Sequence, residues 1–256
     1  MERVIYKINP LLEVIIQYKF PKILALNSQD PIEFQEAIKA DFPVYQLEVE
    51  NQQEISITVG ENREPKPSII SKQPVRNHSF ISKDGLYKIN LTSGFISIST
   101  VGYTRWEEML ERFLSPLKIF EHIYRPPFYE RIGLRYIDVF SRKKLSLEGT
   151  SWKELIAQPW LGTLITIQED KLVNSSFDTE YLLDNRVSRV KVHAGIGNVN
   201  NDPEKVFIID NDFIHIANIN TEESTVILDY LHDNAKSFIR SAITDKLHNA
   251  MLPEGV

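Results

Sequence analysis

The stretch YERIGLRYIDVF, Tyr129–Phe140, alternates so regularly that both of its faces can be read from the letters. Ile132, Leu134, Tyr136 and Phe140 fall on one side; Tyr129, Arg131, Gly133 and Arg135 fall on the other. Successive strand side chains point to opposite faces of a sheet, so this is the period of a half-buried strand. Near the start of the chain, LLEVIIQYKF (11–20) has the same period. Leu12, Val14, Ile16, Tyr18 and Phe20 share one face, and Glu13, Gln17 and Lys19 the other.

Each of these strands opens a similar series of elements. After the first comes DPIEFQEAIKADFP (30–43), where Asp30 is expected to cap a helix, Pro31 to occupy its first position and Glu33 to complete a capping box. Extended runs follow at YQLEVE and EISITV, then GENREPKPSIISKQPVRN (60–77), which its prolines and charges mark as an exposed loop. FISKDGLYKINLT is expected to be a hairpin turning at Asp84-Gly85, and FISIST continues the meander. TRWEEMLERFLSPLKIF predicts a helix with Thr104 and Glu107 as its capping box and Pro116 kinking or ending it. Pro126 and Pro127 then lead into the second half.

There, SWKELIAQPWLG predicts a short helix, and TLITIQ, RVSRVKVHAGI and KVFIIDNDFIHI predict strands. A long amphipathic helix from about Ser224 to Met251 buries Ile227, Leu231, Phe238, Ile239, Ala242, Ile243 and Leu247. The expected fold is α+β: two pseudo-repeated halves, 1–124 and 125–256, each strand, short helix, antiparallel meander and long helix. All helices pack on one face of an extended antiparallel sheet, with Trp106 and Phe238 in comparable anchoring places. If the first strands of the halves meet at the centre, Glu13 and Gln17 lie close to Arg131 and Arg135 on the helix-free face. Opposite-charge pairs there would contribute about 0.2–1 kcal/mol each, and Gly133 would let a guanidinium or a partner lie flat. Arg131, Arg135, Glu13, Gln17 and Tyr129 are therefore the candidate binding residues.

Composition excludes several classes. The chain has no cysteine, so disulfide scaffolds, thiol nucleophiles and cysteine-ligated zinc are out, and a reducing cytoplasm fits. The opening MERVIYKINPLLEV has early charges and a proline, unlike a signal peptide, and no window approaches the roughly 20 apolar residues of a membrane span. A net charge of −6 argues against a broadly basic nucleic-acid binder.

The motifs NPLLEVIIQYKF, EFQEAIKADFP, GYTRWEEMLERF, ERIGLRYIDVF, VFIIDNDF and LHDNAKSFIRSAITDKLHNAM, in this order, span nearly the whole chain. As a set they resemble a sporadically distributed, functionally uncharacterised prokaryotic family. That resemblance supplies no catalytic residue, fold or ligand. The family's patchy distribution is similar to that of genes travelling with defence or toxin–antitoxin loci.

Chemistry-bearing residues are sparse. Asp210 and Asp212 in IIDNDF point the same way on a strand, as paired nuclease carboxylates holding a metal would, but converging partners are needed. Asp229, His232 and Asp233 are expected on the solvated side of the last helix, and His193 and His215 as hydrogen-bonded structural histidines. The glycines of HAGIGN lack the third glycine of a dinucleotide fingerprint and the Gly-Lys-Ser/Thr of a P-loop. Lys66, Lys72, Arg76, Arg186, Arg189 and Lys191 are candidates for phosphate contact. The expectation is a cytoplasmic binding or adaptor protein with a protein partner, no cofactor and no membrane association. The alternatives are a nucleic-acid-binding module using the helix-free face or the long loop, and a metal-dependent nuclease-like enzyme centred on Asp210 and Asp212.

Overall fold

The strand at Tyr129–Phe140 lies near the middle of a nine-stranded antiparallel sheet in the computed structural model of this chain. The structure describes residues 4–50, 53–59, 65–71, 74–199 and 202–255, with only the backbone of the strands described between residues 50 and 73. In chain order the elements begin with β1 (Val4–Tyr6), β2 (Leu11–Lys19), α1 (Ala25–Ser28), α2 (Ile32–Ile38), β3 (Val44–Glu50), β4 (Gln53–Val59) and β5 (Pro65–Ser71). They continue with β6 (Val75–Ile81), β7 (Tyr87–Leu91), β8 (Phe95–Thr100), α3 (Trp106–Tyr124), β9 (Tyr129–Phe140) and α4 (Trp152–Leu155). The chain closes with β10 (Ser175–Leu182), β11 (Ser188–Gly197), β12 (Val206–Ile219), α5 (Ser224–Ala242), α6 (Asp245–Ala250) and β13 (Pro253–Gly255).

The large sheet runs β10-β11-β12-β9-β2-β8-β7-β6-β3, so the two strands read first from the sequence, β2 and β9, pair with each other. Their alternation sets the layers. Val14, Ile16, Tyr18, Ile132, Leu134 and Phe140 are fully buried on the face that the helices cover. There Tyr18 meets Phe113 and Phe20 meets Phe120, both of α3, at ring separations of 5.1 and 4.7 Å. Phe213 of β12 meets Phe238 of α5, and the His78 ring on β6 lies 3.2 Å from the Leu26 carbonyl of α1. Burying each such aromatic removes it from water at a gain of about 1.5–3 kcal/mol, which holds the helices to this face. The opposite face carries no described helix. A ribbon of β1 and β13 joins the chain ends, and β4 with β5 forms a separate hairpin. No described helix is long and apolar enough to cross a membrane.

Several local expectations are corrected. GENREPKPSIISKQPVRN contains β5, which pairs with β4 from Pro65 to Ser71. The Asp84-Gly85 hairpin is closed by Ser82 N–H donating to the Tyr87 carbonyl, a wider loop than a two-residue turn, with Gly85 left-handed at φ 74°. TLITIQ forms 3-10 turns; the edge strand is β10, held across eight residues by its local hairpin with β11. Asp30 does not cap α2, because its carboxylate is taken by Arg76 at 2.5 Å. Thr104 does not cap α3; its hydroxyl donates to Glu108 at 2.5 Å. A capping box does form at Ser151 and Glu154. α3 runs through Pro116, whose cost of about 3 kcal/mol is offset by the buried stripe of Phe113, Leu117 and Phe120 on either side. The last helix breaks at Ile243, because the Ala242 carbonyl and Thr244 N–H bond Ala157 and Leu155 of the crossing segment.

Candidate functional site

On the helix-free face, β2, β9 and β12 carry one stripe of polar side chains. Register places Gln17 opposite Gly133, and Arg135 opposite Asp212 with Asp210 one pair on. Arg131 donates from Nη1 to Gln17 Oε1 at 2.8 Å and from Nη2 to Asp212 Oδ2 at 2.7 Å. Arg135 holds Asp210 with two bonds, Nε to Oδ1 at 2.7 Å and Nη2 to Oδ2 at 2.5 Å. The Arg131 guanidinium lies over Gly133, where a Cβ would sit 2.6 Å from Nη1. Glycine is therefore what lets the two arginines share this strand. The bond to Asp210 raises the Arg135 pKa, with Asp212 and Glu13 adding their fields. Burial pushes the Asp212 carboxyl up despite its arginine neighbours. Outward along the sheet, Glu180 pairs with Arg189 at 3.2 Å and Lys191 at 3.6 Å, and His193 Nδ1 lies 2.8 Å from Asp178. Asp178, Glu180, Lys191 and His193 line, with Arg135, Asp210 and Asp212, a shallow depression of about 460 Å³.

Four of the five candidate binding residues, Arg131, Arg135, Glu13 and Gln17, stand on this face. Glu13 makes no direct bond to either arginine among the described residues; the carboxylates that take them come from β12. Tyr129 is a correction. It is fully buried on the helix side, 4.8 Å from Tyr18, with its hydroxyl donating to Glu121 at 2.6 Å. Opposite it the pairing with β12 slips between Ile216 and Ile219, with the extra residue on β12, and Tyr129 falls on the same face as Ile132 at this irregular end of the ladder.

Each carboxylate of the weak metal candidates, Asp210 and Asp212, is engaged by an arginine. No metal-ready group of three or more His, Asp or Glu occurs among the described residues. Of the candidate phosphate contacts, Arg76 faces the helices and binds Asp30, whereas Arg189 and Lys191 share Glu180 on the other face, so these three do not converge. The side chains of Lys66 and Lys72 lie outside the described residues.

The same three central strands build a second site, under the helices. Asp138 falls in phase with Leu134, Tyr136 and Phe140, so its carboxylate points inward and is 3% exposed. Its one hydrogen bond among the described residues is a long one, from Asn211 Nδ2 at 3.4 Å. Burial raises its pKa to about 7, against the Asn211 bond and with help from Asp210 across the sheet. His232 is not solvated as expected. Its ring stacks on Trp106 at 4.0 Å and 7°, with Nδ1 2.8 Å from the Tyr136 hydroxyl. Trp106, buried in the core, thus also meets α5, and its Nε1 donates to Asp229 at 3.2 Å. Together with Tyr6 and Tyr103 these residues line a pocket of about 140 Å³.

No protein-family model matches the sequence, and no curated protein matches it.

Proposed function

We propose that the protein is a binding or adaptor protein that engages a protein partner on the helix-free face of its sheet. The observation that carries this reading is the internal pairing of the stripe, with Arg131 and Arg135 held by Gln17, Asp212 and Asp210. A nucleic-acid surface needs cations free to replace counterions along phosphates. Here the arginines are already matched by acids, and the overall charge is −6. Such a face suits a partner that presents its own mixed polar surface. Because the guanidinium groups are fixed before contact, little side-chain freedom is lost on binding.

The same proposal takes residues 1–124 and 125–256 as two copies of one plan. In support, the last strand of each meander, β8 or β12, returns to pair with the first strand of its half, β2 or β9, and a long helix follows. The cysteine-free chain suits the cytoplasm, and the motif resemblance adds a setting in prokaryotic defence or toxin–antitoxin loci to the proposal.

The test is affinity purification of the tagged protein with and without nuclease. A protein recovered after nuclease treatment, and lost from a folded Arg131→Gln, Arg135→Gln variant, is the expected result. Co-purifying nucleic acid whose binding falls steeply with salt would replace this reading with the nucleic-acid one.

A further inference from the structure

The pocket beneath the helices is built around a carboxylate that the protein itself leaves poorly matched. Buried charges are ordinarily paired, and buried acceptors ordinarily receive well-formed hydrogen bonds. Among the described residues Asp138 receives a single bond at 3.4 Å, at the weak end of the range, while each arginine on the other face of the same strand makes two short ones. Its surroundings are aromatic. Tyr136 and Tyr103 meet edge to face at 6.1 Å, and Trp106 with His232 forms a stacked wall. Aromatic faces carry negative charge density and attract cations, more strongly where water is excluded.

We propose that this pocket binds a small monoamine with one aromatic ring or a short apolar body, its ammonium group against Asp138. An ammonium group supplies both the charge and the hydrogen-bond donors that the carboxylate lacks. The size of the pocket sets the body. Its volume of about 140 Å³ is close to the roughly 150 Å³ of an engineered apolar cavity that holds benzene. A second limit comes from the exposed Arg105, which also lines the pocket and repels a further positive charge, whereas Lys236 there is paired with Asp233 at 2.7 Å. Monoamines are thus selected over diamines and polyamines. The site is independent of the partner-binding face, since its residues point to the opposite side of the sheet.

Calorimetric titration of the full-length protein at pH 8 with benzylamine, benzyl alcohol and putrescine tests the proposal. Benzylamine is expected to bind at least tenfold more tightly than either of the others, and Asp138→Asn to lose at least tenfold of that affinity. Ala235 lines the pocket and is 5% exposed, so Ala235→Leu, which fills the space without touching the carboxylate, is expected to abolish binding even should the Asp138 variant fold poorly. Absence of benzylamine binding, equal binding of benzyl alcohol, or undiminished binding by folded Asp138→Asn or Ala235→Leu would overturn it.

Discussion

The two faces of the central strands solve the same problem in opposite ways. On the open face, Asp210 and Asp212 each meet an arginine from β9. On the helix-covered face, Asp138, opposite Ile209 and so beside Asp210 in the ladder, meets only an asparagine amide. Near water, an ion pair gains little, because solvent screens the attraction and would hydrate the charges anyway. Under the helices, hydration is lost and no cation bonds the carboxylate among the described residues, so the acid holds its proton up to about neutral pH. Residues of one chemical kind, one position apart, are therefore a stable surface pair in one case and a stored cost in the other.

The largest expected effect tests the covered face as a whole. Phe238 is 6% exposed and packs against Phe213 and Trp160. Phe238→Ala should lower stability by about 3–5 kcal/mol, read as a shift in the urea midpoint. An unchanged midpoint would mean that α5 does not seal this face.

The next isolates the buried acid. A carboxyl whose folded pKa lies above its unfolded value binds an extra proton only when folded, so stability falls as pH rises from about 4 through 7. The full span corresponds to about 4 kcal/mol. Asp138→Asn removes the titration, so the stability of this variant relative to wild type should rise by up to that amount between pH 4 and pH 8. Among the described residues, Asp210 behind the sheet and Tyr6, Tyr103, Tyr136, His232, Arg105 and Lys236 around the pocket are the ionisable groups that face it; they are common to both proteins. A difference that stays constant with pH would show Asp138 to be ordinarily solvated.

Smaller effects separate the two surface pairs. Arg131→Gln leaves Asp212, a partly buried carboxylate, without its nearest cation, and should cost about 1–2 kcal/mol in chemical denaturation. Arg135 is the more exposed of the two arginines, at 44% of its side chain, so Arg135→Gln should cost about 0.5 kcal/mol and less in high salt. Equal costs would erase the distinction in burial between these neighbouring pairs.

Much of the architecture was legible because strand alternation is a local property. Glu13, Gln17, Arg131 and Arg135 were assigned to the helix-free face from period alone, and Gly133 was recognised as room for a guanidinium. The sequence reading passed over Asp138, although it falls in the apolar phase between Tyr136 and Phe140, and Asn211, which falls likewise between Ile209 and Phe213. What period does not contain is the partner across space. Asp210 and Asp212 read as a metal pair until β12 is laid beside β9 and the arginines reach them.

Backbone period and side-chain type thus determined, from the sequence by itself, the central strands β2, β9 and β12 and most of the residues that each turns to water. The tertiary structure alone decided the burial of Tyr129 against Tyr18, the break at Ile243 imposed by Leu155 and Ala157, and the pocket where His232 of α5 stacks on Trp106 of α3. Those outcomes depend on residues tens to more than a hundred positions apart along the chain. Their energies come from desolvation and close packing between elements, and neither exists until the helices are on the sheet.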